Sequence, residues 1–308
     1  MATMIKIPLN DELLEIAWKA HGDAVTAYVR SKNETYQRKL FAAIEQLLQN
    51  GKDYDTCVAA DDWSWVHDFI LADVDRLRDF AAKPELLQFD EFKKLYIHRF
   101  SAGPYKYVDA RTKYNAYTFI KNLGITICPY CDAEYLDVVA DGDQGLKRTL
   151  EIDHFFPKSK FPALAMCFFN LVPSGQNCNG LKLEAPLGMS PYERDIEACT
   201  RLYPDLPVGI NMECMTADDC VIKFHPRKGM ALNVDQLFLE ERYERHKGKA
   251  YDYMTAAQQY NEEKIQEMIR MGFFKDMADA NHRLFDIPLP GDTTQYPLTK
   301  LRKDIVGK

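Results

Sequence analysis

The 308-residue sequence lacks long apolar runs and is poor in cysteine. No segment approaches the roughly 18–20 apolar residues that a membrane-spanning helix needs, and the first residues do not show the basic-then-apolar pattern of a secretion signal. Eight cysteines in such a chain argue against a disulfide framework and favour free thiols or a single metal or redox site. We therefore expect a cytoplasmic protein without a membrane partner.

Positive charge is scarce overall but concentrated locally. The net charge of −7 argues against a protein that simply coats nucleic acid. Residues 91–122, however, hold seven Lys/Arg against two acids, and residues 145–182 hold five against two. These two basic stretches flank a segment rich in potentially catalytic residues. The chain has no glycine-rich phosphate loop of the Walker type, so we do not expect it to hydrolyse nucleotides itself.

Hydrophobic periodicity predicts a mostly helical α+β fold in three regions. Residues 1–122 are expected to be helical, with Asp109 capping a helix that ends near Gly124. Residues 123–190 contain short β-prone segments and a short helix over 176–185, and this region carries the chemistry. Residues 191–308 are expected to be mainly helical, with a capping box at 190–193 and one or two long helices over 234–271.

Four features of the central region occur together. They are the pair Cys128-x-x-Cys131, the dipeptide Asp153-His154, the residue Asn170, and the run Cys178-Asn179-x-x-Lys182. Over about 55 residues this pattern resembles the HNH endonucleases, which carry a ββα-metal core. The resemblance implies such a core in the middle of the chain and hydrolysis of phosphodiester bonds in nucleic acid, DNA before RNA.

The same chemistry follows from the residue types. Phosphodiester hydrolysis needs an activated water and a cation near the leaving oxygen. A histidine beside an aspartate offers a near-neutral base next to an oxygen ligand. Neighbours on a regular strand point to opposite faces, so Asp153 and His154 must lie at a strand end or a bulge. An amide on the next helix, that of Asn179, can complete a Mg²⁺ or Mn²⁺ site with Asp153.

The resemblance also assigns roles. It makes His154 the general base, and Asp153 and Asn179 the ligands of the catalytic cation. Asn170 becomes a supporting residue that tethers the loop and orients His154, and Lys182 a phosphate contact. Further contacts to nucleic acid are expected from basic residues in the two stretches, namely Lys158, Lys160, Lys106, Arg111 and Lys113.

The cysteines suggest a structural zinc. HNH relatives often bind zinc with two Cys-x-x-Cys turns, whereas here position 175 is glycine and only Cys178 remains of the second turn. Cys128, Cys131 and Cys178 leave one of four ligand positions vacant. The sequence offers Cys167, Cys199, Cys214, Cys220 or His225 for it, with Cys167 better explained as a core residue; alternatively, the thiols only pack.

The central segment is also similar to the HNH subunits of Septu-type and retron anti-phage systems. That similarity implies a defence role and an ABC/SMC-like ATPase as partner. Two alternatives remain open. The chain could be a nucleic-acid-binding module whose nuclease core is inactive. It could also be a thiol oxidoreductase, because Cys-Pro-Tyr-Cys is the active-site sequence of glutaredoxins and Cys128 would then be the attacking thiolate.

Overall fold

The computed structural model describes residues 11–101, 114–140, 146–193, 196–210, 214–289 and 296–307. These residues form two compact units. The first unit contains the described residues up to Thr126 together with Leu136–Pro186. The second contains Ile127–Tyr135 and the described residues from Leu187 onward. The fold is α+β and mostly helical, as predicted.

The first unit begins with helices, as the periodicity predicts. In helix α1, the residues Ala17, His21, Val25 and Val29 recur every four positions and are all buried. A π-helical turn, Tyr96–Phe100, extends α6. The helices of this unit before the strands are α1 Asp11–Arg30, α2 Glu34–Leu48, α3 Tyr54–Ala59, α4 Ser64–Ile70, α5 Val74–Ala81, α6 Glu91–Leu95 and α7 Ala116–Leu123.

The N-cap of helix α7 lies six positions after the expected cap, Asp109. Its N-cap is Asn115, whose side chain accepts hydrogen bonds from the backbone N–H groups of Tyr117 and Thr118 at 3.0 and 3.2 Å. The expected cap, Asp109, lies outside the described residues. The helix ends as predicted at Gly124, which takes the left-handed φ of 62° that glycine adopts without strain.

Two antiparallel pairs of strands and a helix complete the first unit. Strand β1 (Val138–Ala140) pairs with β2 (Leu146–Arg148), and β3 (Leu150–His154) pairs with β4 (Leu171–Gly175). Helix α8 (Gln176–Lys182) follows β4 directly. The chain order is therefore strand, strand, helix around Asp153 and His154. Between β3 and β4, the short 3₁₀ helices Pro162–Met166 and Phe168–Asn170 pack into the core.

The second unit combines one β-hairpin with six helices among its described residues. Strands β5 (Thr200–Asp205) and β6 (Val221–Pro226) are antiparallel. The helices are α9 Met230–Gln236, α10 Leu239–Tyr243, α11 Lys247–Gln259, α12 Glu262–Arg270, α13 Met277–Phe285 and α14 Thr299–Val306. The prediction of one or two long helices over 234–271 was therefore wrong. The segment breaks where Phe238 takes a left-handed φ of 50° and where Asn261 caps a new helix.

The Cys-Pro-Tyr-Cys turn belongs to this second unit. Asp132 follows it, and its carboxylate accepts a hydrogen bond from the backbone N–H of Lys300 in the first turn of α14, at 2.9 Å. The hydroxyl of Tyr243 donates to the carbonyl oxygen of Cys131 at 2.7 Å. Side chains far along the sequence thus fix the turn.

The expected capping box at 190–193 forms its hydrogen bond from Ser190 N–H to Glu193, but the residues make a turn rather than a helix.

Across the described parts of the chain, no helix has both the length and the apolar character that crossing a membrane requires.

A close backbone approach in the second unit gives a stability prediction. A Cβ atom on Gly188 would overlap the carbonyl oxygen of Gly229, whereas a Cβ on Gly248, inside α11, would meet nothing within 4 Å. We expect Gly188→Ala to lower the free energy of unfolding by at least about 2 kcal/mol. The matched Gly248→Ala should raise it by about 0.5–1 kcal/mol. Urea denaturation of the two variants checks both signs, and equal effects would contradict the packing described.

Candidate active site

The β3–β4 hairpin brings the predicted catalytic pair to a strand end. His154 is the last residue of β3 and pairs with Leu171, the first residue of β4. Asp153 and His154 are each only 4% exposed. The position matches the sequence argument that both side chains could act together only where the strand stops.

Three consecutive carbonyl groups orient the residues around this pair. The 3₁₀ helix Pro162–Met166 ends in the core, and the last carbonyls of a helix have no partner within it. The last three carbonyls each receive a side-chain donor: Asn170 Nδ2 donates to Leu164 at 2.9 Å, His154 Nε2 to Ala165 at 3.1 Å, and His21 Nε2 to Met166 at 2.7 Å. The carbonyl of Leu164 also accepts from the backbone N–H of Cys167 at 3.1 Å. We call the carbonyls of residues 164, 165 and 166 the carbonyl row.

Asn170 tethers the loop between the two strands. It is fully buried, and besides donating to Leu164 its side chain accepts from the backbone N–H of Phe156 at 2.6 Å and donates to the Phe156 carbonyl at 3.2 Å. Both ends of the loop are thereby held at one side chain. Because Leu164 precedes Ala165, these bonds also hold the carbonyl to which His154 donates.

The imidazole of His154 is held in one tautomer. Since Nε2 faces a carbonyl oxygen, it must carry the proton, which leaves a lone pair on Nδ1. Nδ1 is buried and has no hydrogen-bond partner among the described residues. Burial lowers the pKa of His154 to about 3, and the positive charge of Lys158 acts in the same direction. The ring is therefore neutral at pH 7 and has a free acceptor.

Tyr96 packs against this histidine. Its ring meets that of His154 edge to face, with 4.4 Å between the centroids, and its hydroxyl donates to the carbonyl of Ile152 at 3.2 Å. The ammonium of Lys158 lies 5.4 Å from the centre of the Tyr96 ring, within cation–π range. The half-buried Lys158 thus lies beside the site, and burial lowers the pKa of its amine.

Lys182 occupies a different position from the one predicted. A phosphate contact should be exposed, but Lys182 is fully buried. Its ammonium lies 3.2 and 3.1 Å from the two carboxylate oxygens of Asp153 and 2.8 Å from the carbonyl oxygen of His154. Nothing in the Asn-x-x-Lys run reveals that the last turn of α8 packs against β3, so the sequence did not predict these partners.

The remaining predicted contacts lie in different surroundings. Asn179 is half-buried on α8, one turn before Lys182, so the two side chains share a helix face. Lys160 is exposed, with its ammonium 3.4 Å from the carbonyl oxygen of Glu184. Three of the predicted nucleic-acid contacts, Lys106, Arg111 and Lys113, lie outside the described residues.

The three residues predicted to hold zinc, Cys128, Cys131 and Cys178, are all buried. Cys167 is a core residue whose thiol lies 3.6 Å from the carbonyl oxygen of Phe69, and burial raises the pKa of that thiol. Attacking thiolates are partly exposed, so the burial of Cys128 disfavours the oxidoreductase alternative.

Two residues around the site escaped the sequence argument. His21 lies on α1, and its Nδ1 accepts a hydrogen bond from the Tyr114 hydroxyl at 2.9 Å while Nε2 serves the carbonyl row. Tyr96 lies in the basic stretch 91–122, and the sequence does not indicate its contact with His154. For His21, the one indication in the sequence is its position on the apolar face of α1. That position does not predict which carbonyl the ring contacts.

The buried imidazole of His21 makes stability depend on pH. Burial lowers its pKa to about 4, against about 6.5 for an unfolded histidine. Between these values the unfolded chain binds a proton that the folded chain does not, so stability falls as the pH drops from about 6.5 to about 4. His154 adds to the same loss.

Replacing His21 tests this linkage. His21→Gln keeps an N–H donor for Met166 but does not titrate. We expect its free energy of unfolding, measured with urea at several pH values between 7 and 4, to fall less steeply than that of the wild type, by up to about 1.4 kcal/mol per pH unit. Identical pH dependence in the two proteins would show that His21 is not held neutral.

When the chain is compared with known proteins, no family model, no curated protein and no solved structure matches it.

Proposed function

We propose that this chain is a metal-dependent endonuclease of the HNH type that hydrolyses phosphodiester bonds of nucleic acid, DNA before RNA. The observation that carries the proposal is the state of His154. Its Nε2 proton is used by Ala165, its Nδ1 lone pair has no partner in the described structure, and its carboxylate neighbour is Asp153 at the end of β3.

His154 is suited to act as the general base. A base must be unprotonated before it takes a proton from water, and this imidazole is neutral at pH 7. The same burial weakens the ring as a base, so the proton transfer requires a site open to solvent, where the desolvation that lowers the pKa of His154 is relieved. The carbonyl of Ala165 fixes the tautomer and would stabilise the imidazolium that forms when Nδ1 accepts the proton. Tyr96, packed against the ring, restricts its rotation. The carbonyl row is thus the support that holds the base in its reactive orientation.

The oxygen atoms beside His154 fit a bound cation. The carboxylate of Asp153 and the carbonyl of His154 surround a positive charge, which in this structure is the ammonium of Lys182. Asp153 with Asn179 would hold Mg²⁺ or Mn²⁺, both of which prefer a few protein oxygens and several waters. Such an ion stabilises the charge that develops on the leaving oxygen. Lys158 and the exposed Lys160 would contact the phosphate backbone.

From the sequence pattern, Cys128, Cys131 and Cys178 would hold a structural zinc, with the fourth ligand unassigned. We extend the proposal to the cell on the resemblance alone: a cytoplasmic effector of an anti-phage system that acts with an ABC/SMC-like ATPase. A nucleic-acid-binding module with an inactive core is the competing function, and it predicts binding without cleavage.

A cleavage assay tests the proposed base. Plasmid and single-stranded DNA are incubated at low salt with Mg²⁺, Mn²⁺ or EDTA. We expect cleavage by the wild type that requires the cation, and a loss of about 10²–10⁴-fold in His154→Gln. Glutamine retains a donor for Ala165, so a loss of activity reports on the base rather than on folding.

The matched control is His98→Gln, which changes an exposed histidine of the same unit and should cleave like the wild type. Cleavage by His154→Gln at a rate near that of the wild type would rule out this residue as the base. DNA binding without cleavage in every protein would favour the inactive binding module.

Zinc content tests the thiol site separately. We expect about one zinc per chain by elemental analysis, reduced in Cys128→Ser and in Cys178→Ser because zinc prefers thiolate over hydroxyl ligands. Cys214→Ser, which changes an exposed cysteine, should retain the wild-type content. Zinc-free wild-type protein, or equal zinc in all variants, would leave the three thiols as packing residues.

A further inference from the structure

The groups assigned to catalysis are closed off from solvent. Asp153 and His154 are 4% exposed, and Lys182 is 0% exposed. A nucleic-acid backbone is bulky and strongly hydrated, so it cannot reach a base that is covered to this extent. The structure therefore describes a resting arrangement of the site, which must open before any phosphodiester bond reaches Nδ1 of His154.

The ammonium of Lys182 holds that arrangement together. It carries three N–H donors and faces three oxygen atoms at 2.8–3.2 Å, two from Asp153 and one from the His154 carbonyl. Each N–H donor of the ammonium thus has an oxygen partner, and two of these oxygens belong to the carboxylate assigned to the divalent cation. Two cations on one carboxylate repel each other strongly at low dielectric, so the ammonium and the metal ion exclude each other.

We propose that Lys182 is a resident cation that keeps the site closed, and that a divalent metal ion displaces it from Asp153 when the site opens. This inference rests on the proposed function, because it concerns the same carboxylate. In this exchange one cation leaves the carboxylate of Asp153 and another binds to it, and no covalent bond forms or breaks. The released ammonium is then free to leave the interior.

The backbone beside Lys182 is compatible with such an exchange. Lys182 is the last residue of α8, and Leu183 after it takes a positive φ of 47° with its side chain 70% exposed. A non-glycine residue in this conformation stores strain that a rearrangement of the helix end would relieve. Lys182 therefore lies at the end of its helix, where a rearrangement of that end would move its side chain.

Replacing Lys182 by a neutral residue of similar length tests whether its ammonium and a divalent metal ion compete for the carboxylate of Asp153. In Lys182→Met the carboxylate of Asp153 stays buried without its partner, so we expect a lower melting temperature without metal. Mn²⁺ should restore the melting temperature. We expect the Mn²⁺ concentration at half-saturation to be at least about tenfold lower for this variant than for the wild type. Calorimetry and electron paramagnetic resonance measure this affinity. Lys19→Met, at an exposed lysine of the same unit, should behave like the wild type.

The double variant Asp153→Asn with Lys182→Met provides the specific control. It buries no unpaired charge and should neither lose the stability of the single variant nor respond to Mn²⁺. Mn²⁺ affinity in Lys182→Met equal to or weaker than that of the wild type would overturn the inference. If Lys182→Met does not fold without metal, recovery of folded protein in Mn²⁺ but not in EDTA supports the exchange, and failure in both overturns it.

Accessibility of His154 gives an independent measurement on the wild type. Diethyl pyrocarbonate modifies exposed neutral imidazoles, and mass spectrometry locates the product. We expect His154 to resist modification in EDTA and to react at least several-fold faster in saturating Mn²⁺, while the exposed His98 reacts equally in both. An unchanged rate at His154 would contradict opening by the metal. Failure of the nuclease proposal would appear elsewhere, as cleavage that is independent of His154.

Discussion

The carbonyl row at residues 164–166 is the constraint on which the site depends. These three groups end a short helix inside the core, where an unpaired carbonyl costs about as much as a lost hydrogen bond. Side-chain donors reach them from the end of the loop, from β3 and from α1: Asn170 at residue 164, His154 at residue 165 and His21 at residue 166. The orientation of His154 is consequently determined by elements outside its own hairpin.

Electrostatics follow from the same burial. Removing His154 from water keeps its ring neutral, and the charge on Asp153 is tolerated because Lys182 supplies a partner with full hydrogen bonding. A buried ion pair of this kind contributes little net stability compared with an apolar pair, although losing one member is costly. The pair is therefore better understood as fixing which charges face each other at the end of β3.

The sequence predicts what depends on neighbours along the chain. The strand end at His154 and the helix end at Gly124 follow from local patterns, whereas strand β4 was not predicted from them. The burial of Lys182, the edge-on contact of Tyr96 and the bond from His21 depend on residues 28 to 145 positions away. The Cys128–Cys131 turn was assigned to the central region, but contacts to Tyr243 and Lys300 tie it to the second unit. Contacts between residues so far apart in the chain produce no periodic pattern in the sequence.

The π-helical turn at Tyr96–Phe100 sets a length requirement. Its wide turn closes with a hydrogen bond from Ser101 N–H to the Tyr96 carbonyl at 2.7 Å, five residues apart instead of four. Each residue of an ordinary helix rotates the chain by about 100°. Deleting one residue here would restore regular winding but turn the Tyr96 ring away from His154. This segment should therefore resist any change in its number of residues in evolution.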